Sequence, residues 1–220
     1  KGGVNLNTYL REPINGFTHL AGAILSFVGL LALVIKTTLT NPTIINISAV
    51  IVFGISMILL YSASATYHLV VSSDKVISFL RKLDHSMIFV LIAGSYTPFC
   101  LIALEDFKGW ILFTIIYAIA ILGVLFKMLW FKCPRWVSTI IYIGMGWMAI
   151  FIIGPLCRVI SSQGVFLLAL GGIFYTIGGV IYGVKPKYLK FKHLGFHEIF
   201  HIFVLLGSLT HFLCVFNYVI

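Results

Sequence analysis

Charged residues are scarce in this chain, and acidic residues are the scarcest of them. Only 10% of the 220 residues are charged, whereas 60% are hydrophobic. Soluble domains usually carry about 25% charged residues and about 45–50% apolar ones. A soluble fold of this length has too little interior to hide so much apolar surface. The composition therefore excludes that class and indicates a membrane protein, in which apolar side chains face lipid.

Closely spaced cysteines are also missing. The four cysteines are Cys100, Cys133, Cys157 and Cys214, and three of them lie in apolar runs. This spacing excludes a CxxC metal or redox motif and predicts small, buried thiols. We expect no cleavable signal peptide, because the first apolar run is too long and has no small-residue cleavage site.

Long linkers and low-complexity segments are absent, and the chain divides into seven apolar runs. A helix needs roughly 20 apolar residues to cross the hydrocarbon core, and backbone groups in lipid must bond within their own segment. The runs are continuous rather than alternating, which excludes a barrel. We therefore predict an all-α integral membrane bundle in which residues 1–220 form one domain. The predicted spans are Ile14–Ile35, Ile44–Leu69, Ser86–Leu104, Gly109–Phe126, Val137–Cys157, Gly164–Val184 and Gly195–Ile220.

The basic residues predict the orientation of the bundle. The chain has 15 Lys and Arg against 6 Asp and Glu, a net charge of +9. Twelve of the 15 lie in the N-terminal segment and in the second, fourth and sixth loops. Cytoplasmic loops collect Lys and Arg, so the N-terminus is predicted to be cytoplasmic and the C-terminus extracytoplasmic. The same placement in short loops favours membrane orientation over nucleic-acid binding.

Ionisable side chains in the predicted spans fall at one depth. His68 ends the second span, Asp84 and His85 open the third, and His197 and His201 lie in the first turns of the seventh. In the predicted orientation all of these positions are near the cytoplasmic face. Charged residues in a bilayer are costly, at about 2.5–3.5 kcal/mol for an aspartate at mid-membrane, and they usually mark a function.

The spacing of these residues points to a metal ion. His197 and His201 are four residues apart, so they point within about 40° of each other on one helix face. Ser64 has the same spacing from His68, so its hydroxyl also faces the site. Three histidines and a water form the usual open arrangement of catalytic zinc, although copper, iron and nickel accept the same donors.

The other histidines are not expected to join this cluster. His193 lies in a basic loop, and His211 lies about 15 Å along the helix from His201. His19 is interpreted as a residue without a metal role. The role of His85 is left open, because it adjoins Asp84 in sequence but points to a different face of the helix.

Residues 197–201 also match HExxH, the zinc-protease motif in which the glutamate is the general base. Glu198 therefore has two interpretations. It is an alternative base, or it is an acidic residue that interacts favourably with the N-terminal end of the helix dipole. The second role is favoured, because a motif as short as HExxH is also found by chance in unrelated sequences.

Five segments resemble one family. They are Glu12-Pro13-Ile14-Asn15 with Thr18-His19, Ser64-Ala-Thr-Tyr-His68, Leu83-Asp84-His85-Ser86, Ala93-Gly94-Ser95-Tyr96-Thr97-Pro98 and Gly195-Phe196-His197-Glu198-Ile199-Phe200-His201. In content and order they resemble the hemolysin III proteins, the bacterial branch of the progestin and adipoQ receptor (PAQR) superfamily.

This resemblance implies a seven-helix fold with a cytoplasmic N-terminus and a zinc ion near the cytoplasmic leaflet. It implies that His68, His197 and His201 bind the zinc, that Asp84 holds a water, and that Ser64 supports the site. The related alkaline ceramidases hydrolyse lipid amides with similar residues. The long N-terminal region of the animal receptors is lacking here, so receptor signalling is not carried over.

Two functions follow as hypotheses. The first is a zinc-dependent hydrolase of a lipid amide or ester, with membrane lipid as substrate and Asp84 as general base. The second is a non-catalytic protein with a structural zinc, either membrane-active (haemolytic or cytolytic) or involved in membrane homeostasis. A transporter is less favoured, because paired discontinuous helices are missing and the cluster lies near one face.

Overall fold

The computed structural model describes residues 10–130, 133–186 and 195–220, which contain helices and no strand. A π-helical turn at Phe99–Ala103 continues the third helix, and a 3-10 turn at Met148–Phe151 joins the fifth to the sixth. The helices are α1 (Pro13–Thr40), α2 (Ile44–Leu69), α3 (Asp74–Pro98), α4 (Phe107–Leu129), α5 (Arg135–Trp147), α6 (Ile153–Val159), α7 (Ser162–Val184) and α8 (Phe196–Tyr218).

Six of these elements are long and apolar enough to cross a membrane singly, and α5 with α6 supplies a seventh crossing if the bent pair counts as one span. Large apolar side chains such as Leu25, Phe27, Leu122 and Phe151 are exposed on the outside of the bundle. Such a surface suits lipid and not water. The predicted all-α membrane bundle is confirmed.

The fifth span is broken, and its prediction as one continuous helix is wrong. α5 ends at Trp147, α6 begins at Ile153, and the two bend by 55°. Pro155 explains the break, because proline has no N–H and its ring clashes with the carbonyl four residues earlier, that of Phe151. The bend moves this part of the chain away from a straight path through the bundle.

The third helix starts earlier than predicted. It begins at Asp74 rather than near Ser86. The segment before Asp84 has too many polar residues to register as a membrane span, yet its apolar residues recur at helical spacing. Asp84 and His85 therefore lie about three turns into α3, so their prediction as the residues that open it is wrong.

α1 brings the ends of two other helices together. It packs against both α2 and α8, while α8 also packs along α7. The backbone N–H of Glu12, just before α1, donates to the carbonyl of His68 at 2.9 Å. The start of α1 and the end of α2 therefore lie at one level of the bundle. The cytoplasmic location of that level and the single-domain organisation stay predictions.

Candidate metal centre

Three histidines from two helices converge in the structure. His68 lies in the last turn of α2, and His197 and His201 lie in the first turns of α8. One ring nitrogen from each lies within 4.8 Å of the other two, so the group could hold a metal ion. The Nε2 atoms of His68 and His197 are 3.3 Å apart. Two nitrogens bound to one tetrahedral zinc at about 2.0–2.1 Å are separated by roughly 3.3 Å, so the spacing of this pair is compatible with a shared ion of that size.

Glu12 fixes the orientation of His68. Its Oε2 atom lies 2.6 Å from His68 Nδ1, and that hydrogen bond lowers the pKa of Glu12 to about 2. An ionised carboxylate only accepts hydrogen bonds, so Nδ1 is the donor of this bond, and Nε2 is the nitrogen that faces His197. Carboxylates that hold the far nitrogen of a histidine in this way set the ring orientation in metal sites.

Glu198 organises the beginning of α8. Its Oε2 accepts from the backbone N–H of Gly195 at 2.7 Å, and its Oε1 accepts from Asn15 Nδ2 at 2.9 Å. The first of these bonds satisfies a backbone donor at the helix start. Because both carboxylate oxygens are engaged in this way, the geometry favours the helix-end role over the general-base role. Asn15 also lies 3.4 Å from Glu12, so α1 links the helices of all three histidines.

His19 lies against the cluster, which the sequence interpretation did not foresee. Its ring stacks on that of His201, with centroids 3.6 Å apart and planes 11° from parallel. Tyr61 contacts His19 edge-on at 5.1 Å. His19 is four residues after Asn15, so both lie on one face of α1. That spacing, together with Glu12, is the sequence signal that α1 contributes to the site.

The remaining histidines lie elsewhere. His85 Nε2 is 3.3 Å from the Tyr182 hydroxyl, and His211 Nε2 is 3.2 Å from the carbonyl of Leu168. Neither belongs to the three-histidine group. His193 lies outside the described residues.

Asp84 and two histidines of the cluster border one cavity. Asp84, His197 and His201 line a cavity of about 370 Å³ whose other walls are mostly apolar. Ser64 lies near the Asp84 carboxyl, but its buried hydroxyl forms no hydrogen bond. The cavity extends along α8 as far as His211, about 15 Å from His201 at 1.5 Å per residue. We call it the main cavity.

The Haemolysin-III related family matches residues 7–212 of the chain. The chain belongs to this family. It is 40% identical to Hemolysin-3 of Bacillus cereus, over 98% of this chain and 95% of that protein. It is 38% identical to a Hemolysin-3 homolog of Bacillus subtilis, over 96% of this chain and 95% of that protein. A more distant relative is human Monocyte to macrophage differentiation factor, 25% identical over 76% of this chain and 68% of that protein.

These matches confirm the predicted resemblance to the hemolysin III proteins and to the PAQR superfamily. The apolar helices and the family together identify a multi-pass protein of the cell membrane. Three close histidines in that protein form a candidate metal centre.

Replacing Glu12 by alanine is expected to weaken zinc binding about 10- to 100-fold, the usual effect of removing a partner that orients a metal-binding histidine. His68 would keep its ring but lose the acceptor that fixes it. Competition titration with a zinc chelator measures the affinity. Glu105→Gln, an exposed acidic residue after the far end of α3, serves as the control. Equal zinc affinity in Glu12→Ala and wild type would show that Glu12 does not position the ligand.

Proposed function

We propose that this protein is a zinc-dependent hydrolase that cleaves an amide or ester bond of a membrane lipid. The observation that carries the proposal is that Asp84 lines the same main cavity as His197 and His201, two of the three clustered histidines. Binding sites for apolar ligands are concave and largely apolar, with a few polar groups placed at one point. An acyl chain fits such a cavity, with its carbonyl at the polar end.

His68, His197 and His201 would hold the zinc. Zinc in such a site lowers the pKa of water toward about 7 and polarises a carbonyl. Zinc is favoured among the metals because three neutral nitrogen donors with one open position are its usual catalytic set.

In this proposal Asp84 moves the proton. Asp84 is buried and lines the main cavity, as His197 and His201 do. As general base it would accept a proton from the attacking water and return it to the leaving amine or alkoxide. The Ser64 hydroxyl has no hydrogen-bond partner in the structure, and it would support this carboxyl by donating a hydrogen bond to it. The apolar walls keep bulk water out and orient the acyl chain.

A structural metal is the second candidate. The three donors come from α2 and α8, and residue 68 is separated from residue 197 by 129 positions. An ion shared by these helices would join distant parts of the chain, and metal binding can contribute folding free energy directly. Under this alternative the protein acts on membranes without catalysis.

The hydrolase proposal is tested with purified protein in vesicles that contain both amide-linked and ester-linked lipids. We expect release of free fatty acid that stops when a chelator removes zinc and resumes when zinc is restored. Mass spectrometry of the lipid extract measures the release. Vesicles without protein give the background. No release from any lipid, or release that chelation leaves unchanged, would contradict the proposal.

A further inference from the structure

A second polar cluster lies where α3, α4, α5 and α7 meet. It surrounds a small cavity of about 40 Å³, larger than the roughly 10–15 Å³ that one water needs. We call it the basic pocket. Its polar lining includes Arg81, His85, Lys127, Arg135 and Ser138. Within the described part of the chain, no acidic side chain lines it.

Lys127 is the unusual member of this pocket. Its side chain is only 3% exposed. The Nζ atom donates to the Ser138 hydroxyl and lies 3.5 Å from Cys133 Sγ. All six acidic side chains of the chain fall within the described ranges, and none of them forms an ion pair with Lys127. A buried ammonium is costly unless an anion accompanies it.

Two other cationic side chains lie at this pocket and also favour a bound anion. The Arg135 guanidinium lies 5.4 Å from the ring centre of Tyr182, and Arg81 lines the same cavity. Guanidinium groups bind phosphate and carboxylate oxygens through paired hydrogen bonds, and a lysine adds a point charge. The Lys127 ammonium and the Arg135 guanidinium, at a small cavity whose described lining contains no carboxylate, match the chemistry of a phosphate group.

The basic pocket adjoins the main cavity. His85, Ile88, Tyr142 and Tyr182 line both cavities. Tyr182 also packs against His197, with ring centroids 5.9 Å apart. A lipid in the main cavity with its acyl group near the histidines would therefore have its headgroup within reach of the basic pocket.

We propose that the basic pocket binds the phosphate of a lipid headgroup while the hydrocarbon chain of that lipid occupies the main cavity. The inference deepens the proposed function, because it names phosphate-bearing lipids as the substrate class. Headgroup binding itself requires no catalysis. It can therefore be tested with lipids that cannot be hydrolysed.

The probes are two ether-linked lipids with the same alkyl chain, an alkylglycerol phosphate and the corresponding alkylglycerol. They differ only in the phosphate. We expect the full-length, zinc-loaded protein to bind the phosphate form at least about tenfold more tightly, the usual effect of a hydrogen bond to a charged group. Equilibrium binding in uncharged detergent measures both affinities.

Lys127→Gln is expected to reduce this difference to less than about threefold, because the buried cation supplies most of the discrimination. An unchanged zinc content shows that the variant is folded and still holds its metal. A loss of phosphate discrimination then reflects the basic pocket and not direct binding of phosphate to zinc. Arg135→Gln, a change of a half-buried residue, provides the second variant if Lys127→Gln fails to fold. Lys75→Gln removes a charge from an exposed position at the start of α3 and is expected to keep the full difference.

Inorganic phosphate is the competitor that identifies the source of the anion. Competition only at concentrations far above those of the lipid supports a lipid headgroup site. If inorganic phosphate competes as effectively as the alkylglycerol phosphate does, the assignment of the site to a lipid headgroup is overturned. Equal binding of the two lipids by wild type would overturn the proposal that the basic pocket binds phosphate. A difference in affinity that Lys127→Gln leaves intact would overturn it as well. If the vesicle assay finds no hydrolysis but Lys127-dependent binding persists, the hydrolase proposal fails and the headgroup site stands.

Discussion

Replacing His201 by alanine is expected to remove the stabilisation that zinc gives to the protein. At a free zinc concentration about 100 times the dissociation constant, binding to the folded state alone contributes about 2.7 kcal/mol. His201 is buried and supplies one of the three nitrogen donors. Without it, two histidines remain, and the affinity is expected to fall below the range in which this zinc concentration stabilises. Thermal unfolding in detergent, with zinc and with chelator, measures the effect.

His211→Ala is the matched control for that experiment. His211 lies on the same helix, is also buried, and is not part of the three-histidine group. We expect this variant to lose some stability, because removal of the imidazole leaves a void. It should keep the full difference in thermal stability between zinc and chelator. An equally large zinc effect in His201→Ala and wild type would remove His201 from the metal centre.

Replacing Asp84 by asparagine is expected to lower lipid hydrolysis about 10²- to 10⁴-fold, the range that a positioned general base contributes. The substitution keeps the size of the side chain, and Asp84 is not among the three grouped donors. Zinc content should therefore stay at the wild-type level. Initial rates of fatty-acid release, normalised to bound zinc, measure the change.

The matched control is Asp74→Asn, which changes an exposed aspartate in the first turn of the same helix. It should leave the rate within about twofold of wild type, since surface changes away from a site have small effects. Full hydrolysis by zinc-loaded Asp84→Asn would contradict the role of Asp84 as base. If every activity of the protein also survived, while His68→Ala lowered its thermal stability, a structural metal would be the better account.

Hydropathy was sufficient to predict the bundle but not the shape of its helices. The second helix has the predicted bounds, Ile44–Leu69, because a continuous apolar run leaves no other choice in lipid. The break at Phe151–Ile153 was missed, since hydropathy measures apolar character and not backbone geometry. Pro155 is the residue in the sequence that indicates the break, because a proline has no N–H to donate within a helix.

The histidine cluster was predictable because two simple features determine it. Orientation placed His68 and the start of α8 at one depth, and the spacing of His197 and His201 placed both on one face. The contributions of α1 were not predictable in the same way. Glu12 contacts a residue 56 positions away and Asn15 one 183 positions away. Such contacts depend on how α1 packs between α2 and α8, which periodicity does not report.

The position of the main cavity was not predictable from the sequence. It exists because side chains are missing from places where helices come near each other. Gly146 and Gly172 line the main cavity, and a Cβ atom added at either position would have no neighbouring atom within 4 Å. Composition shows that glycines are present but not which of them face open space.

The central claim is that His68, His197 and His201 together bind one zinc ion. Zinc X-ray absorption spectroscopy of the purified protein, with metal quantified per chain, tests it most directly. We expect one zinc per chain, with three imidazole nitrogens at about 2.0–2.1 Å and one further light-atom ligand. A protein that binds no zinc under zinc-replete conditions, or a spectrum dominated by sulfur at about 2.3 Å, would contradict the claim.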